Sequence, residues 1–266
     1  MLLAIDVGNT NIVLGLFDGD VLTVSWRLAS RSYRTSDELW VLVSRLFDDR
    51  QIDTGRITGV IASSVVPSLT QTVTDMVSHG LACEIVHVDA TNSGLPIRYD
   101  NPEEVGADRI VNGVAVRTLY GASSRPVIVL DFGTATTFDA ISSAGEYLGG
   151  IICPGVEISA DALFQRAARL PRVDVRRPDS LIGRTTVASM RSGLFYGYVA
   201  MVEGIVSRMR QDLQSDGSAV SVATGGLAAA IADETEAIDH VNPDLTLIGL
   251  RLVWERNHQA NVEPRP

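Results

Sequence analysis

Residues 2–10 read LLAIDVGNT, and residues 127–136 read VIVLDFGTAT. In both stretches, an apolar run of the length of a β-strand ends in Asp-x-Gly followed by hydroxyl-bearing residues. The two aspartates, Asp6 and Asp131, are 125 residues apart in a chain of 266. The sequence therefore predicts two similar halves, each beginning with a strand that ends in the same turn.

Each copy of the pattern continues into a second apolar-rich stretch that contains a glycine turn. Residues 16–22 read LFDGDVL, and Asp-Gly between apolar residues is a strong signal for a β-hairpin. Residues 139–148 read DAISSAGEYL and have the same character. Each half is therefore predicted to open with a β-meander.

Helical periodicity follows each meander, so the chain is predicted to be an α/β fold with mixed sheets. We place the N-terminal half at residues 1–118 and the C-terminal half at 119–266. The C-terminal half contains a long helix whose glycine spacing suits either packing within the chain or a dimer interface. Ser36 is the expected N-cap of the first helix, and Pro102 is expected in the first turn of the third. The first predicted helix ends near residue 47. Further helices are predicted at about 67–79, 103–120, 159–170 and 186–213, and short strands at 59–62, 84–88 and 219–223.

The composition indicates a globular protein with an acidic surface. The chain is 45% hydrophobic and 20% charged, and its formal charge is −10. A negative charge of this size disfavours nucleic acid and anionic lipid as partners. Anionic ligands such as nucleotides must therefore be held by local donors and cations.

Several features of the sequence point to a cytoplasmic location. The two cysteines, Cys83 and Cys153, are far apart, which is typical of reduced thiols in a chain of this size. The four histidines have no metal-ligand spacing. No cationic leader precedes the first strand, and no apolar run has the length of a membrane span. We expect no zinc site and no membrane contact.

The Asp-x-Gly turn has a direct chemical interpretation. Glycine lets backbone N–H groups approach a phosphate closely, and the hydroxyl groups that follow can donate to phosphate oxygens. The aspartate can hold magnesium, often through water. A single turn of this kind is common in proteins, but two copies after apolar strands favour binding of a polyphosphate.

A third segment, residues 222–228 (VATGGLA), places Thr-Gly-Gly after a short strand. By itself it is equally consistent with a tight strand-to-helix turn. Together, the three segments resemble the phosphate-1, phosphate-2 and adenosine segments of the actin, hexokinase and heat-shock-chaperone ATPase superfamily. That resemblance implies a duplicated ribonuclease-H-like fold with ATP between the halves.

A finer resemblance concerns the phosphate acceptor. Residues 99–112 (YDNPEEVGADRIVN) resemble the Tyr…Asn-Pro…Gly-x-Asp-Arg signature of type III pantothenate kinases. The segments DFGTATTFD at 131–139, GGIICPG at 149–155, LPRV at 170–173 and IGRTT at 182–186 match as well. The resemblance covers about residues 2–256.

The resemblance implies a set of site residues. ATP would bind the first loop and one residue of the second, which are Asp6, Val7, Gly8, Asn9, Thr10, Asn11, Ile12, Val13 and Thr134. Asp131 would bind a monovalent cation, potassium or ammonium, and Asp6 would bind magnesium. Pantothenate would contact Tyr99, Gly106, Ala107, Asp108, Arg109 and Thr186. The threonine would come from the partner subunit of a homodimer, so the active site would be shared.

Asp108 is the predicted catalytic residue. In kinases, an aspartate orients the attacking hydroxyl or accepts its proton. An isolated Asp-Arg pair on a helix is more often a solvated ion pair, so this assignment depends on the surrounding motif. Arg184-Thr185 stands where Lys-Asn is common in the family, and Arg191 stands where Gln is common.

Two other functions remain open at this point. The same ATP scaffold could phosphorylate a different hydroxyl, such as that of a sugar, because fold does not fix the acceptor. A non-catalytic accessory or regulatory role is the other possibility, since some relatives have been described as accessory factors in transcription. The presence of Asp6, Asp108, Arg109, Asp131 and Thr134 argues against a catalytically degraded chain.

Overall fold

The computed structural model describes residues 1–31, 33–121, 125–214 and 219–259. The chain divides into two compact units. Unit 1 comprises Met1–Leu95, Asp100–Ala115 and Leu245–Pro266, and unit 2 comprises Pro96–Tyr99 and Val116–Asp244. The units group residues by contact, so the domain division after residue 118 stays a prediction.

Ten strands and seven helices are assigned within the described residues. The strands are β1 (Leu2–Val7), β2 (Asn11–Asp18), β3 (Val21–Ala29), β4 (Gly59–Ser64), β5 (Ile85–His87), β6 (Val127–Phe132), β7 (Ala135–Ile141), β8 (Tyr147–Pro154), β9 (Val220–Gly225) and β10 (His240–Val241). The helices are α1 (Ser36–Asp49), α2 (Pro67–Gly80), α3 (Ala107–Leu119), α4 (Val156–Arg166), α5 (Thr186–Asp212), α6 (Ala228–Ala232) and α7 (Leu245–Gln259).

The two sheets have the same topology. Unit 1 has the strand order β3-β2-β1-β4-β5, and unit 2 has the order β8-β7-β6-β9-β10. In each sheet the first three strands of the unit pair antiparallel, and the remaining two add in parallel. The predicted α/β fold with two similar halves and mixed sheets is confirmed.

The core of each unit follows from its apolar periodicity. In unit 1, Leu39, Val43 and Phe47 of α1 lie four residues apart, on one helix face, and all are buried. In unit 2, Val202 and Val206 of α5 are fully buried with the same spacing. Within the described residues, none of the helices is long and apolar enough to cross a lipid bilayer.

Two predicted helix starts were wrong, by one residue for α1 and by four residues for α3. Thr35, not Ser36, caps α1: its side chain accepts from the backbone of Glu38, and Glu38 reaches back to the Thr35 backbone in a capping box. Pro102 opens a separate 3-10 turn, and α3 begins only at Ala107 because Val105 is in an extended conformation that ends the turn.

Two further helices also differ from prediction. Helix α4 begins at Val156, three residues before the predicted start. Helix α7 was missed, because Thr246 and Gly249 lower its intrinsic helix propensity. Tertiary packing requires that glycine: a Cβ at Gly249 would lie 2.1 Å from the backbone oxygen of Val111 in α3.

Candidate active site

The first Asp-x-Gly turn connects β1 to β2 in unit 1. Asp6 faces Ser63 across the parallel pair of β1 and β4. The fully buried Ser63 hydroxyl donates to Oδ1 of Asp6 at 2.7 Å. This bond fixes the carboxylate at the carboxyl end of both strands.

The loop after Asp6 is tight and has an exposed tip. The Gly8 amide donates to the Asn11 carbonyl at 2.9 Å. Ser30 holds the other side, since its hydroxyl donates to the Gly8 carbonyl at 2.6 Å and its amide donates to the Thr10 carbonyl at 2.9 Å. Asn9 and Thr10 are exposed at the tip. This arrangement suits a loop that binds phosphate.

Not every residue of the predicted ATP loop presents a side chain to a ligand. Ile12 is buried in the core of unit 1, and Val7 is fully buried as well. Any contact that these two residues make with ATP must therefore come from their backbone atoms. Val13 pairs with Asp6 in the antiparallel register of β1 and β2.

Asp108 lies in the first turn of α3 in unit 1, and its side chain is partly buried. The backbone N–H of Arg109 donates to Oδ1 of Asp108 at 2.8 Å. Burial raises the pKa of Asp108 above its usual range, while that N–H and the Arg109 guanidinium act in the opposite direction. A Cβ at Gly106 would lie 2.5 Å from Oδ1 of Asp108, so glycine leaves room for the carboxylate.

Unit 1 brings the Asp6 turn and the start of α3 to one edge of its sheet. The Val65 amide donates to the Val7 carbonyl at 3.1 Å. The Cγ1 of Val65 would be 3.4 Å from a Cβ on Gly106. The predicted magnesium residue and the predicted catalytic residue therefore share the carboxyl edge of β1 and β4.

The second Asp-x-Gly turn connects β6 to β7 in unit 2. The Gly133 amide donates to the Ala135 carbonyl at 3.0 Å, and the Gly155 amide donates to the Thr134 carbonyl at 3.1 Å. A Cβ at Gly155 would lie 2.2 Å from that same carbonyl oxygen. The turn that carries Asp131 and Thr134 is therefore held from the side by the residue that precedes α4.

The Thr-Gly-Gly segment packs directly against this second turn. Asp131 and Thr224 are partners in the parallel pair of β6 and β9. Gly225 has a φ of 92°, which favours glycine, and a Cβ there would lie 2.6 Å from the Phe132 oxygen. The Gly226 amide donates to that oxygen at 3.1 Å. Unit 2 thus brings together two of the three predicted nucleotide segments.

The predicted substrate residues are distributed over both units. Gly106, Ala107, Asp108 and Arg109 belong to unit 1, and Tyr99 and Thr186 belong to unit 2. Tyr99 is 36% exposed, and its ring packs edge-on against Tyr147, with 6.3 Å between centroids. Arg109 is buried.

Thr186 is the first residue of α5 and lines an open cleft of about 820 Å³ in unit 2. The helix is capped by Thr185, whose hydroxyl accepts from the Ala188 amide at 3.1 Å. Thr186 itself is exposed. The remaining walls of the cleft are Leu163, Leu170, Gly183, Arg184, Ser189, Met190, Gly193 and Leu194.

With this geometry established, comparison with known proteins identifies the family. A family model described as type III pantothenate kinase matches residues 2–208. A relative from Moorella thermoacetica named type III pantothenate kinase is 55% identical over 258 residues, which cover 97% of this chain and all of the relative. The chain belongs to the type III pantothenate kinase family.

Solved structures confirm the fold. A conserved Baf family protein from Campylobacter jejuni superposes with a TM-score of 0.61 at 18% identity, over 97% of this chain and 99% of that one. An inorganic polyphosphate/ATP-glucomannokinase from Arthrobacter gives a TM-score of 0.51 at 16% identity, over 97% and 98% of the two chains. At these identities the likeness shows the fold alone, and it is the actin-like ATPase fold.

A kinase of the type III pantothenate kinase family uses ATP and a divalent metal ion, and the unit 1 edge fits such an ion. In the described part of the chain, no group of three or more His, Cys, Asp or Glu side chains forms a ready-made metal cage. Magnesium typically binds through one or two carboxylates, water and substrate phosphates rather than such a cage. The single fixed carboxylate of Asp6 matches that requirement.

Sequence reasoning missed Ser63. The signal was present, because residues 59–64 (GVIASS) are an apolar strand that ends in hydroxyl residues. Without the register of β1 and β4, however, nothing in the sequence places that hydroxyl beside Asp6. The predicted ATP loop is therefore supported by a strand more than 50 residues away in sequence.

Proposed function

We propose that this chain transfers the γ-phosphoryl group of ATP to the terminal hydroxyl of pantothenate and forms 4'-phosphopantothenate, the first step of coenzyme A biosynthesis. Membership of the type III pantothenate kinase family supports this function. The observation that carries it is the partly buried Asp108 carboxylate, which the Arg109 amide holds at the start of α3.

Asp108 is proposed to act mainly by orienting the attacking hydroxyl. An alcohol has a far higher pKa than a carboxyl group, so early proton abstraction by Asp108 is unfavourable. In phosphoryl transfer, the protein contributes positioning and charge stabilisation, and the proton can move late. The hydrogen bond from the Arg109 amide keeps one oxygen of Asp108 in place for that task.

Residues 6–13 and Thr134 are proposed to bind ATP, and Asp6 is proposed to hold magnesium, directly or through water. The bound ion would neutralise charge on the phosphates. The hydrogen bond from Ser63 supports this role, since groups that orient a metal-binding carboxylate raise metal affinity. The exposed tip at Asn9 and Thr10 offers hydroxyl and amide donors to phosphate oxygens.

Asp131 is proposed to bind potassium or ammonium. A carboxylate at the end of a strand offers oxygen, which is the ligand type that a hard cation requires. The net charge of −10 also favours local cations beside a bound polyphosphate. Comparing rates in potassium and in sodium tests this assignment: equal rates would remove the potassium site from the proposal.

Pantothenate is proposed to contact Tyr99, Gly106, Ala107, Asp108, Arg109 and Thr186. We further propose a homodimer in the cytoplasm, in which Thr186 is supplied by the partner. Thr186 is exposed in an open cleft, and the nearby Leu181 and Ile182 are 65% and 78% exposed. An exposed apolar patch of this kind commonly marks an interaction surface.

The decisive experiment measures phosphate transfer by the purified chain with magnesium-ATP and either pantothenate or hexoses. Mass spectrometry should find 4'-phosphopantothenate, with no comparable product from hexoses. Transfer to a hexose alone would favour the sugar-kinase alternative. No transfer to either acceptor, together with tight DNA binding in a gel-shift assay at physiological salt, would favour the accessory role.

A mixing experiment tests the shared site. Asp108→Asn and Thr186→Ala variants are each expected to be inactive, but a mixed dimer has one site with both native residues. Random exchange of subunits should therefore restore about a quarter of the native activity, because half of the dimers are mixed and each has one working site. If both residues of a site come from the same chain, mixing restores nothing.

A further inference from the structure

A carboxylate lies fully buried within unit 2, on the strand β7 that follows the Asp131 turn. Asp139 on β7 has no exposed surface. Its Oδ1 accepts from the Tyr147 hydroxyl at 2.7 Å, and its Oδ2 accepts from the Thr137 hydroxyl at 3.4 Å. A buried carboxylate is unfavourable unless such bonds compensate for lost hydration. What these bonds provide is a fixed orientation of the Tyr147 ring.

Tyr147 is in turn bonded to the segment that carries Tyr99. Its amide donates to the Pro96 carbonyl at 2.8 Å, and its carbonyl accepts from the Arg98 amide at 2.8 Å. Residues on both sides of Ile97 are therefore tied to one residue of β8. The side chains of Arg98 and Glu146 add an ion pair beside these bonds.

The Tyr99 ring rests on two surfaces that Tyr147 and β8 supply. It packs edge-on against the Tyr147 ring, with 60° between the ring planes. On another side it faces Gly149, where a Cβ would lie 3.4 Å from Cε2 of Tyr99. Gly149 has a φ of 121°, a conformation that favours glycine, so this flat support suits no larger residue.

We propose that Asp139 and Tyr147 are positioning residues for pantothenate, and that they act through the Tyr99 ring. This inference rests on the proposed function, in which Tyr99 contacts pantothenate. In pantothenate, a dimethyl-substituted carbon is bonded to the CH2 group that bears the terminal hydroxyl. A tyrosine ring offers an apolar face beside a polar end. Support from Tyr147 keeps the Tyr99 ring, and with it the bound substrate, in place. Small displacements of a substrate strongly slow phosphoryl transfer.

The test is a double-mutant cycle. Tyr147→Phe keeps the ring but removes the hydroxyl that bonds Asp139. It is expected to raise KM for pantothenate about threefold to tenfold, the range that corresponds to the net contribution of one ordinary intramolecular hydrogen bond. KM for ATP should stay within about twofold, since Tyr147 has no assigned role in the ATP loops. In a Tyr99→Ala background, Tyr147→Phe should add no further increase, because the effect passes through that ring.

Two further variants keep the test decisive if Tyr147→Phe folds poorly. Asp139→Asn retains an oxygen that can accept from Tyr147, so its KM for pantothenate should rise less than that of Tyr147→Phe. Tyr120→Phe is the matched control, because Tyr120 stacks on His240 elsewhere in unit 2. It should leave KM for pantothenate unchanged.

The outcomes separate this inference from the proposed function. Absence of pantothenate phosphorylation by the native chain would remove the proposed function itself. If the native chain is active and Tyr99→Ala raises KM, an unchanged KM in Tyr147→Phe would overturn the inference alone. Equal increases from Tyr147→Phe with and without Tyr99 would also overturn it, since they would indicate a general structural effect. An unchanged KM in Tyr99→Ala would overturn it as well.

Discussion

The turn at Asp6 and the turn at Asp131 have the same frame but different neighbours. Each aspartate is the penultimate residue of its strand, and each faces a hydroxyl residue, Ser63 or Thr224, on the parallel neighbour. The first turn leaves three residues between its strands and the second leaves two. The longer turn exposes Asn9 and Thr10, whereas the shorter one exposes only Gly133 and is packed against Gly225 and the residue before α4.

This difference is consistent with the two different roles proposed for the duplicated turn, which are magnesium binding at Asp6 and binding of a monovalent cation at Asp131. The sheet topology places a carboxylate at the same point in each unit, so position follows from the fold. The groups packed around each carboxylate then decide what it can bind. In unit 1 the Asp6 turn shares its sheet edge with Asp108, and in unit 2 the Asp131 turn shares its sheet edge with the Thr-Gly-Gly segment.

The largest expected effect comes from Asp108, the residue that most distinguishes the edge of unit 1. Asp108→Asn should lower kcat by about 10²–10⁴-fold, the range for loss of a general base or an orienting carboxylate. KM for ATP should change little, because the ATP loop is intact. Steady-state kinetics with pantothenate and ATP measures both quantities.

The matched control is Asp37→Asn, which removes an exposed aspartate from the first turn of another helix in unit 1. Its kinetics should equal those of the native chain. Retention of kcat within about tenfold in Asp108→Asn would remove Asp108 from the catalytic role.

The second largest effect is expected from a substitution at Gly225, which packs against the Asp131 turn of unit 2. Gly225→Ala places a side chain at a φ of 92° and within 2.6 Å of the Phe132 oxygen. It should lower the free energy of unfolding by about 2–4 kcal/mol, because backbone strain and overpacking add. Gly226→Ala is the adjacent control, since a Cβ there meets nothing within 4 Å. Urea denaturation of the two variants should separate them, and equal midpoints would contradict the packing described here.

A smaller effect is expected in unit 1, on the magnesium requirement, when the residue that holds Asp6 is changed. Ser63→Ala removes the hydroxyl that holds Asp6. It should raise the magnesium concentration needed for half-maximal activity by about tenfold, the lower range for loss of a group that orients a metal ligand. Ser25→Ala, at an exposed position of β3, should leave that requirement unchanged. If the Ser63→Ala variant has the native magnesium dependence, the hydrogen bond between Ser63 and Asp6 has no role in metal binding.

Much of this frame could be predicted from sequence, because it depends on local patterns. The repeat of an apolar strand before Asp-x-Gly predicted both meanders, and helical patterns predicted α1 and α2. Pro102 misled because a proline at a first helical position fits a 3-10 turn as well as an α-helix. Helix α7 was missed because its intrinsic helix propensity is low and it is stabilised by packing on the sheet of unit 1, mainly on β1 and β4.

The supporting residues of the site could not be predicted, because they depend on pairing between distant strands. Ser63 reaches Asp6 only through the register of β1 and β4. Tyr147 supports Tyr99 only because the segment around Ile97 pairs with the start of β8. The Asp-x-Gly pattern pointed to Asp6 and the family resemblance pointed to Tyr99, but register decides what holds them.

The last and smallest effect concerns how Asp108 affects the stability of the folded chain. Burial raises the pKa of Asp108 in the folded state above its unfolded value. Between those two values the folded state binds more protons than the unfolded state, so the free energy of unfolding falls as pH rises through this window. Above this pH window the buried, ionised carboxylate of Asp108 lowers the free energy of unfolding. Asp108→Asn removes it, and the variant should therefore be more stable than the native chain at neutral pH.

The difference between the two chains should shrink as pH falls and vanish below about 3.9, the ordinary pKa of aspartate, where both states bind the proton. Urea denaturation at a series of pH values measures it, with Asp37→Asn as the exposed reference. A variant that is less stable than the native chain at neutral pH would show that the bond from the Arg109 amide and the Arg109 charge outweigh desolvation. The opposite result, a more stable variant, would show that the charge of Asp108 at the unit 1 edge lowers stability. Such a cost is common at functional sites that contain a desolvated carboxylate.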